Sequence, residues 1–206
     1  MNQINKPKPS DIHLENARAK SNHIAELVNA VPRASYCIDI CFRDIENQLE
    51  NYQQNYNLDL DPDFQRGYKW TREQQIHYIE CYVRGVLPEQ VKTITFNCNN
   101  WDGYDSTEPQ QMVLVDGKQR LNAVRSFLRG DFKIFSDIDG GVSKDYFRGT
   151  RFTFDGNNGL KFSILSLPKR IDYLRYYKAF NTGGTVHTVQ EIELVDSLIE
   201  IELSKN

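Results

Sequence analysis

The sequence predicts an α/β (α+β) fold, in which a small mixed sheet is flanked by helices. Short stretches of alternating or continuous apolar residues are typical of strands, and they are interspersed with segments whose apolar residues recur at helical spacing. The two patterns meet in residues 112–129, where an apolar strand runs through Asp116 and Gly117 directly into a helix. With 206 residues, of which 39% are hydrophobic, the chain is long enough to bury a substantial core.

The N-terminal residues 1–33 are predicted to form an extension of a main domain that spans residues 34–206. Residues 1–10 are polar and contain two prolines, which is typical of a flexible tail. A helix is predicted from about residue 10 to about residue 29, but its apolar face is thin. This helix either packs against the domain or is the surface that meets a partner.

Residues 36–97 are predicted to contain two strands and two helices. Alternation in residues 36–40 predicts a short strand, and apolar residues at helical spacing predict a helix over residues 42–52. Thr71 is followed three positions later by Gln74, a capping box that predicts the start of the next helix. Residues 91–97 have the pattern of a further strand.

The strand and helix of residues 112–129 have the clearest pattern. Residues 112–115 are continuously apolar, which suits a strand buried on both faces of a sheet. In the following helix Leu121, Val124 and Leu128 form one apolar stripe. Gly130 stands where a glycine ends a helix.

The chain after residue 130 is predicted to hold three short strands and two helices. Residues 132–135 and 151–154 alternate like half-exposed strands, and residues 162–165 can form one more. A helix is predicted over residues 168–180. The last helix begins at a capping box in residues 188–191.

Composition and charge restrict the function classes. The net charge of −3 supplies no general attraction to nucleic acid, so a DNA contact would need a local basic patch. No apolar run approaches the roughly 20 residues of a membrane span, and the N-terminus has no apolar signal core, so we expect no membrane association and a cytoplasmic protein. The four cysteines lack the spacing of a zinc site and are predicted to be reduced thiols.

The turn between the strand and the helix is a candidate anion site. The first N–H groups of a helix have no partner within it, and Lys118 and Arg120 add positive charge to the first turn. Cations at this end oppose the helix dipole, so local stability does not explain them. The turn is therefore either a plain connection with two solvated basic residues or a phosphate-binding turn, with Asp116 available to hold a metal or polarise a water.

A second cluster lies at residues 64–70. A planar guanidinium at Arg66, braced by Phe64, Tyr68 and Trp70, would make a good phosphate fork. The alternative is that Phe64 and Trp70 are core anchors and Arg66 is an ordinary surface ion-pair partner.

A third cluster lies at residues 181–184, after the most basic stretch of the chain, residues 169–178. Gly183 and Gly184 are adjacent and allow a close approach of the backbone to another group.

In this order and spacing, the three clusters resemble the motifs of the D-G-Q-Q-R family, domain of unknown function 262. This family is the nucleotide-hydrolysing part of GmrSD-type modification-dependent restriction systems, in the ParB/sulfiredoxin-like superfamily. The motifs carrying the resemblance are F-Q-R at residues 64–66, D-G-K-Q-R at 116–120 and N-T-G-G at 181–184. The resemblance covers residues 36–200.

The resemblance implies a compact ParB/sulfiredoxin-like domain that binds and hydrolyses ATP, GTP or CTP with Mg²⁺. The catalytic residues it implies are Gln65, Asp116, Gln119 and Arg120, and Asp116 is also the implied metal ligand. The nucleotide-binding residues it implies are Arg66, Gly117, Lys118, Asn181, Thr182, Gly183 and Gly184.

Three positions depart from the family pattern. Lys118 stands where the family usually has glutamine, which keeps anion binding but changes the hydrogen-bond geometry. Ala179 stands where an arginine is common, and the loss of a cation near developing phosphate charge would lower turnover. His187 replaces a usual leucine.

The leading hypothesis is an NTPase whose activity gates DNA restriction or phage defence, with a nuclease or another restriction-system protein as partner. The sequence shows no second His/Asn constellation of an HNH nuclease, so the chain alone is not expected to cut DNA by that route. The first alternative is a non-catalytic interaction protein that regulates or blocks such a system. The second is a ParB-like DNA-binding protein or nuclease, which draws on the basic residues 169–178.

Overall fold

The computed structural model describes residues 9–27, 34–65, 67–101, 110–154, 158–182 and 189–205. Contacts divide the chain into two units, Met1–Pro32 and Arg33–Asn206. In the first unit the described residues form one helix, α1 (Pro9–Leu27), on which Leu27 is exposed. Among the described residues, no helix combines the length and apolar character needed to cross a membrane.

The second unit contains a four-stranded mixed sheet, in the order β1-β4-β2-β3. The central pair, β4 and β2, is parallel, whereas β1 and β3 pair antiparallel at the two edges. The strands are β1 (Tyr36–Cys41), β2 (Thr93–Cys98), β3 (Met112–Asp116) and β4 (Gly159–Leu165). Helices accompany this sheet, so the predicted α/β class with a small mixed sheet is confirmed.

Five helices belong to the second unit in the part of the chain that the structure describes. Thr71 caps α3 through its side chain, which accepts from the Gln74 N–H, and the reciprocal bond of a capping box is also present. The predicted strand at residues 91–97 begins later, because Glu89–Lys92 form a 3₁₀ turn. The helices are α2 (Ile45–Tyr56), α3 (Arg72–Val83), α4 (Lys118–Arg129), α5 (Arg170–Thr182) and α6 (Val189–Ser204).

The burial of β3 explains its continuous apolar sequence. Met112 and Leu114 belong to the core formed with α2, α3 and α4, whereas Val113 and Val115 belong to a second core formed with α5 and α6. All four side chains are at most 4% exposed. Because successive side chains of a strand point to opposite faces, only a strand covered on both faces buries all of them.

The predicted strands at residues 132–135 and 151–154 are wrong. Ile134 makes one isolated bridge with Val142, and residues 151–154 lie in turns. The alternation arises because aromatic side chains of an irregular segment enter the core: the Phe127 ring lies 5.5 Å from the Phe132 ring and 5.0 Å from the Phe154 ring. The predicted capping box at residues 188–191 depends on Thr188, which lies outside the described residues.

Candidate functional site

The turn between β3 and α4 is built around Gly117, which is buried and has a φ of 99°. A Cβ atom there would lie 2.6 Å from Cδ1 and 3.3 Å from Cα of Ile94. Glycine alone combines this left-handed conformation with so close an approach to β2. As the N-cap of α4, Gly117 makes no side-chain capping bond, so the first turn of the helix has no acceptor from that position.

Lys118 and Arg120 occupy the first turn of α4, and both are ion-paired. Lys118 Nζ pairs with Asp61, and Arg120 Nη2 pairs with Asp116 at the end of β3. Arg120 Nη1 also donates to the carbonyl oxygen of Gln90 at 3.0 Å. Their side chains are only 11% and 15% exposed. The structure therefore holds two largely buried cations at the end of the helix where the dipole disfavours them.

The two predicted glutamines connect the 64–70 cluster to this turn. Gln65 Nε2 donates to the carbonyl oxygens of Leu114 and Val115, at 2.6 and 2.7 Å. From the other side, Gln119 Oε1 accepts from the backbone N–H groups of Lys69 and Trp70, at 3.0 and 3.1 Å. The two side-chain amides therefore hold the loop of residues 64–70 against the β3–α4 turn, which we call the junction.

Helix α5 reaches the same place from the second face of the sheet. The Phe64 ring lies 5.6 Å from the Tyr173 ring and 5.1 Å from the Tyr177 ring. Burial and the nearby negative charge of Asp116 raise the pKa of Tyr176 above its ordinary value. The helix that ends at Asn181 and Thr182 therefore packs across the strand that ends at Asp116.

The structure thus brings the described residues of the F-Q-R and D-G-K-Q-R motifs together around the end of β3. Gln65, Asp116, Gly117, Lys118, Gln119 and Arg120 all lie within this junction or contact it directly. Asn181 and Thr182 form the last residues of α5, with their side chains outside the described part. Arg66, Gly183 and Gly184 lie outside the described residues, and their roles stay predictions.

The aromatic residues of the 64–70 cluster have different surroundings. Phe64 is 2% exposed and is a core residue, and Trp70 packs 5.4 Å from the Tyr78 ring, against the main core. Tyr68 is exposed. For Phe64 and Trp70 the geometry agrees with core anchors, the second of the two interpretations of this cluster.

Asp61 is a site residue that motif analysis missed. It belongs to a short series of aspartates at alternate positions, Asp59, Asp61 and Asp63, which precedes the F-Q-R motif. Asp61 pairs with Lys118 and Asp63 pairs with Arg170, from far along the chain. The alternation of the aspartates is visible in the sequence, but their partners, Lys118 and Arg170, are too distant in the chain to be predicted from it.

Part of the positive charge of the basic stretch at residues 169–178 is neutralised by carboxylates that the fold brings next to it. Arg170 pairs with both Asp63 and Glu202, and Lys178 pairs with Asp196 of α6. These pairs reduce the positive charge that a DNA-binding surface would need.

Potential metal ligands do not cluster in the described part of the chain: no group of three or more His, Cys, Asp or Glu side chains there could hold a metal ion. Asp116 is a lone carboxylate paired with Arg120. It can supply one oxygen to an ion that takes its other ligands elsewhere, as Mg²⁺ does when it arrives with phosphates.

Fold and site together define the class of protein. It is an α/β protein in which a buried strand turns through a glycine with positive φ into a helix, and the first turn of that helix contains two cationic side chains. The comparison with known families then gives the particular family. Residues 45–182 match the model of the GmrSD restriction endonuclease N-terminal domain, and the chain belongs to this family. The family predicted from the three motifs is therefore confirmed, and it gives the chain a restriction-system context.

The matched region contains the F-Q-R and D-G-K-Q-R motifs and ends at Thr182, within N-T-G-G. Searches of curated proteins and of solved structures gave no match.

Proposed function

We propose that this domain binds a nucleoside triphosphate at the start of α4 and hydrolyses it with Mg²⁺, in a DNA restriction or phage-defence context. The observation that carries the proposal is the pair of largely buried cations, Lys118 and Arg120, in the first turn of the helix. Their position opposes the helix dipole and so reduces the stability of the helix. Such a cost is offset when an anion binds there, because the dipole and both cations then act in the same direction.

The ion pairs of these cations are compatible with ligand binding. Asp61 is 80% exposed and Asp116 is 23% exposed, so neither pair is sealed inside the protein. A triphosphate carries several negative charges and accepts charge-assisted hydrogen bonds, so it competes well with a single carboxylate for Lys118. Arg120 also bonds to the backbone of Gln90, which orients its guanidinium during such an exchange.

The remaining residues have roles that follow from their contacts. Gln65 and Gln119 hold the 64–70 loop against the junction, which would keep Arg66 in register with the phosphates as an opposing clamp. Asp116 would provide the one protein carboxylate for the magnesium of the nucleotide. We propose that the N-T-G-G segment lies beside the same phosphates, because it follows α5, and this helix carries Tyr176 close to Asp116. Catalysis would then depend on positioning and on charge stabilisation.

The test is phosphate release by the purified protein with ATP, GTP and CTP in the presence of Mg²⁺. Lys118→Ala and Arg120→Ala should each lower kcat/KM by at least about tenfold, because each loses a charge-assisted contact to phosphate. Arg125→Ala is the matched control: Arg125 is on the same helix but pairs with Glu46 at 2.7 Å. Wild-type protein that neither releases phosphate nor binds any of the nucleotides would overturn the proposal, as would equal losses in Arg120→Ala and Arg125→Ala.

A second candidate, a non-catalytic interaction protein of a restriction system, is favoured by Ala179. Ala179 lies on α5, three positions after Tyr176, whose pKa is raised by burial and by the nearby charge of Asp116. An arginine at position 179 would add a cation to α5 near Asp116, and alanine does not. Nucleotide binding without phosphate release, together with a stable complex with a restriction-system protein, would support this candidate over the enzyme.

A further inference from the structure

Tyr78 is a buried residue of α3, 5% exposed, that belongs to none of the three motifs. Its hydroxyl donates to the carbonyl oxygen of Val91 at 3.0 Å. Val91 belongs to the 3₁₀ turn of Glu89–Lys92, which precedes β2. Because a buried phenol needs a partner for its hydroxyl, this bond joins α3 to the 89–92 turn at a defined place.

The same turn contacts the guanidinium of Arg120. Arg120 Nη1 donates to the carbonyl oxygen of Gln90 at 3.0 Å, and Gln90 immediately precedes Val91. Two adjacent carbonyl groups of one turn therefore accept hydrogen bonds, one from the phenol of Tyr78 and the other from Arg120. A shift of the turn would move the acceptor that orients Arg120.

Tyr78 also lies close to Arg120 and to the loop of residues 64–70. Burial raises the pKa of the Tyr78 phenol, and the nearby positive charge of Arg120 opposes this rise. The Trp70 ring lies 5.4 Å from the Tyr78 ring, and the Trp70 N–H donates to Gln119 Oε1 at 3.1 Å. Tyr78 therefore contacts two separate segments that bond to the first turn of α4.

The bond to Gln90 matters most when phosphate binds. The guanidinium of Arg120 has two anchors, the carboxylate of Asp116 and the carbonyl oxygen of Gln90. In the proposed function the carboxylate turns to the magnesium of the nucleotide, so the carbonyl oxygen is the anchor that stays. Because a displacement of about 1 Å in a catalytic site can lower a rate by on the order of a hundredfold, the position of this carbonyl group affects turnover.

We infer that Tyr78 is a positioning residue, which fixes the Gln90 carbonyl group through the 89–92 turn and thereby orients the guanidinium of Arg120 towards the phosphates. This inference rests on the proposed function and goes beyond it, because it assigns a role in turnover to a buried residue that is not proposed to touch the nucleotide or its metal.

Tyr78→Phe tests the inference, because it removes the hydroxyl and keeps the ring against Trp70. Tyr82→Phe is the matched control on the same helix. The Tyr82 hydroxyl donates to the carbonyl oxygen of Gly159 at 2.7 Å and accepts from the Gly159 N–H at 3.0 Å. Its loss removes two hydrogen bonds to β4, so a general loss of stability should be at least as large in the control.

The first experiment measures kcat/KM for phosphate release from ATP, GTP and CTP in Mg²⁺ by the full chain. Tyr78→Phe should lower kcat/KM about fivefold, whereas Tyr82→Phe should stay within about twofold of wild type. In protein that carries Arg120→Ala, Tyr78→Phe should change kcat/KM by less than about twofold, because the group it orients is gone. Equal losses in the two tyrosine variants would overturn the inference, as would an undiminished effect in the presence of Arg120→Ala.

A second experiment needs no nucleotide and separates this inference from the proposed function. NMR of the isotope-labelled full chain measures rotation about the Nε–Cζ bond of Arg120, which the hydrogen bonds of its guanidinium restrict. This rotation should be at least about threefold faster in Tyr78→Phe than in wild type or Tyr82→Phe. Unchanged rotation overturns the inference alone. Wild-type protein that neither binds nor hydrolyses a nucleotide overturns the proposed function and, with it, the role of Tyr78 in turnover, even where Arg120 rotates faster in Tyr78→Phe.

Discussion

At the scale of single residues, the turn after β3 depends on the absence of a side chain at position 117. Two separate constraints act there: the positive φ and the 2.6 Å approach that a Cβ would make to Ile94. Gly130, at the other end of α4, has a similar φ of 86° but no atom within 4 Å of such a Cβ. A side chain at position 130 would meet only the conformational constraint, whereas one at position 117 would meet both the conformational and the steric constraint.

Gly117→Ala should lower the free energy of unfolding by about 2–5 kcal/mol, because left-handed strain and overpacking add. Gly130→Ala should cost only about 1–2 kcal/mol, from strain alone. Chemical denaturation of both variants measures the difference. Adding Ile94→Val, which removes the Cδ1 atom, should restore part of the loss at position 117. Equal losses at the two glycines would show that the contact with Ile94 is unimportant.

Tyr52, on α2, predicts how stability depends on alkaline pH. It is 2% exposed, and burial raises the pKa of its phenol to about 12 from an ordinary 10. Since the unfolded chain loses this proton first, the contribution of the neutral phenol is complete below pH 10 and is lost as the pH rises towards 12.

We expect the free energy of unfolding to fall by roughly 2–3 kcal/mol over this interval because of Tyr52. Tyr52→Phe should be less sensitive to pH between 10 and 12, measured by urea denaturation at several pH values. Tyr146→Phe serves as the control, since Tyr146 is 57% exposed. Identical pH dependence in wild type and Tyr52→Phe would contradict the prediction.

At the scale of elements, the junction is assembled by polar clamps as well as by apolar packing. The described residues of the 64–70 loop belong to no helix or strand, and Gln65 and Gln119 supply the hydrogen bonds that join them to β3 and α4. The amide of Gln119 serves both as an acceptor for two N–H groups and as a donor to Gly67.

Gln119→Ala should release the loop while leaving the rest of the fold intact. The amides of Lys69 and Trp70 lose their acceptor, so we expect their hydrogen exchange to accelerate by about tenfold, with a loss of about 1–2 kcal/mol in global stability. Hydrogen exchange followed by NMR reports on both amides. Gln54→Ala is the control, because Gln54 donates to Glu50 across one exposed turn of α2 and lies outside the loop. Unchanged exchange at positions 69 and 70 would show that the clamp does not hold the loop.

At the scale of the whole molecule, the hydrophobic cores belong to the second unit. Every buried apolar residue in the described part of the chain lies between Ile40 and Val195. The unit boundary falls between Pro32 and Arg33.

Removal of residues 1–33 should therefore leave the remaining domain folded. We expect a Tm within about 3 °C of the full chain, because no described core contact is lost. Differential scanning calorimetry of the two proteins tests this, and circular dichroism confirms that the helical content of the domain persists. A loss of cooperative unfolding in the shortened chain would contradict the division.

The sequence predicted the parts of the fold whose signals are local. The run at residues 112–115 and the glycine after it specify β3 and the start of α4, and Thr71 with Gln74 specifies the start of α3. The alternation at residues 132–135 and 151–154 misled, because aromatic side chains at alternate positions can enter a core from turns as well as from strands. The candidate site shows the same division between local and distant signals.

Motif residues of the site were predictable because each motif is contiguous. Their partners were not: Asp61 meets Lys118, and Arg170 meets Asp63, only when segments distant in the chain pack together. The spacing of residues within one segment does not predict these ion pairs, because they form only when the fold brings distant segments together.

The strand order also determines when the sheet can be completed during synthesis. Among the strands that the structure describes, β1 pairs with β4 alone, and more than half of the chain separates the two. At about 5–20 residues per second, a ribosome needs several seconds to make the intervening segment. During that time β2, β3 and α4 can already associate, while the nascent β1 exposes both of its edges. The first described strand to leave the ribosome is thus among the last to be paired, and until then its unpaired edges are of the kind that chaperones and aggregating chains bind.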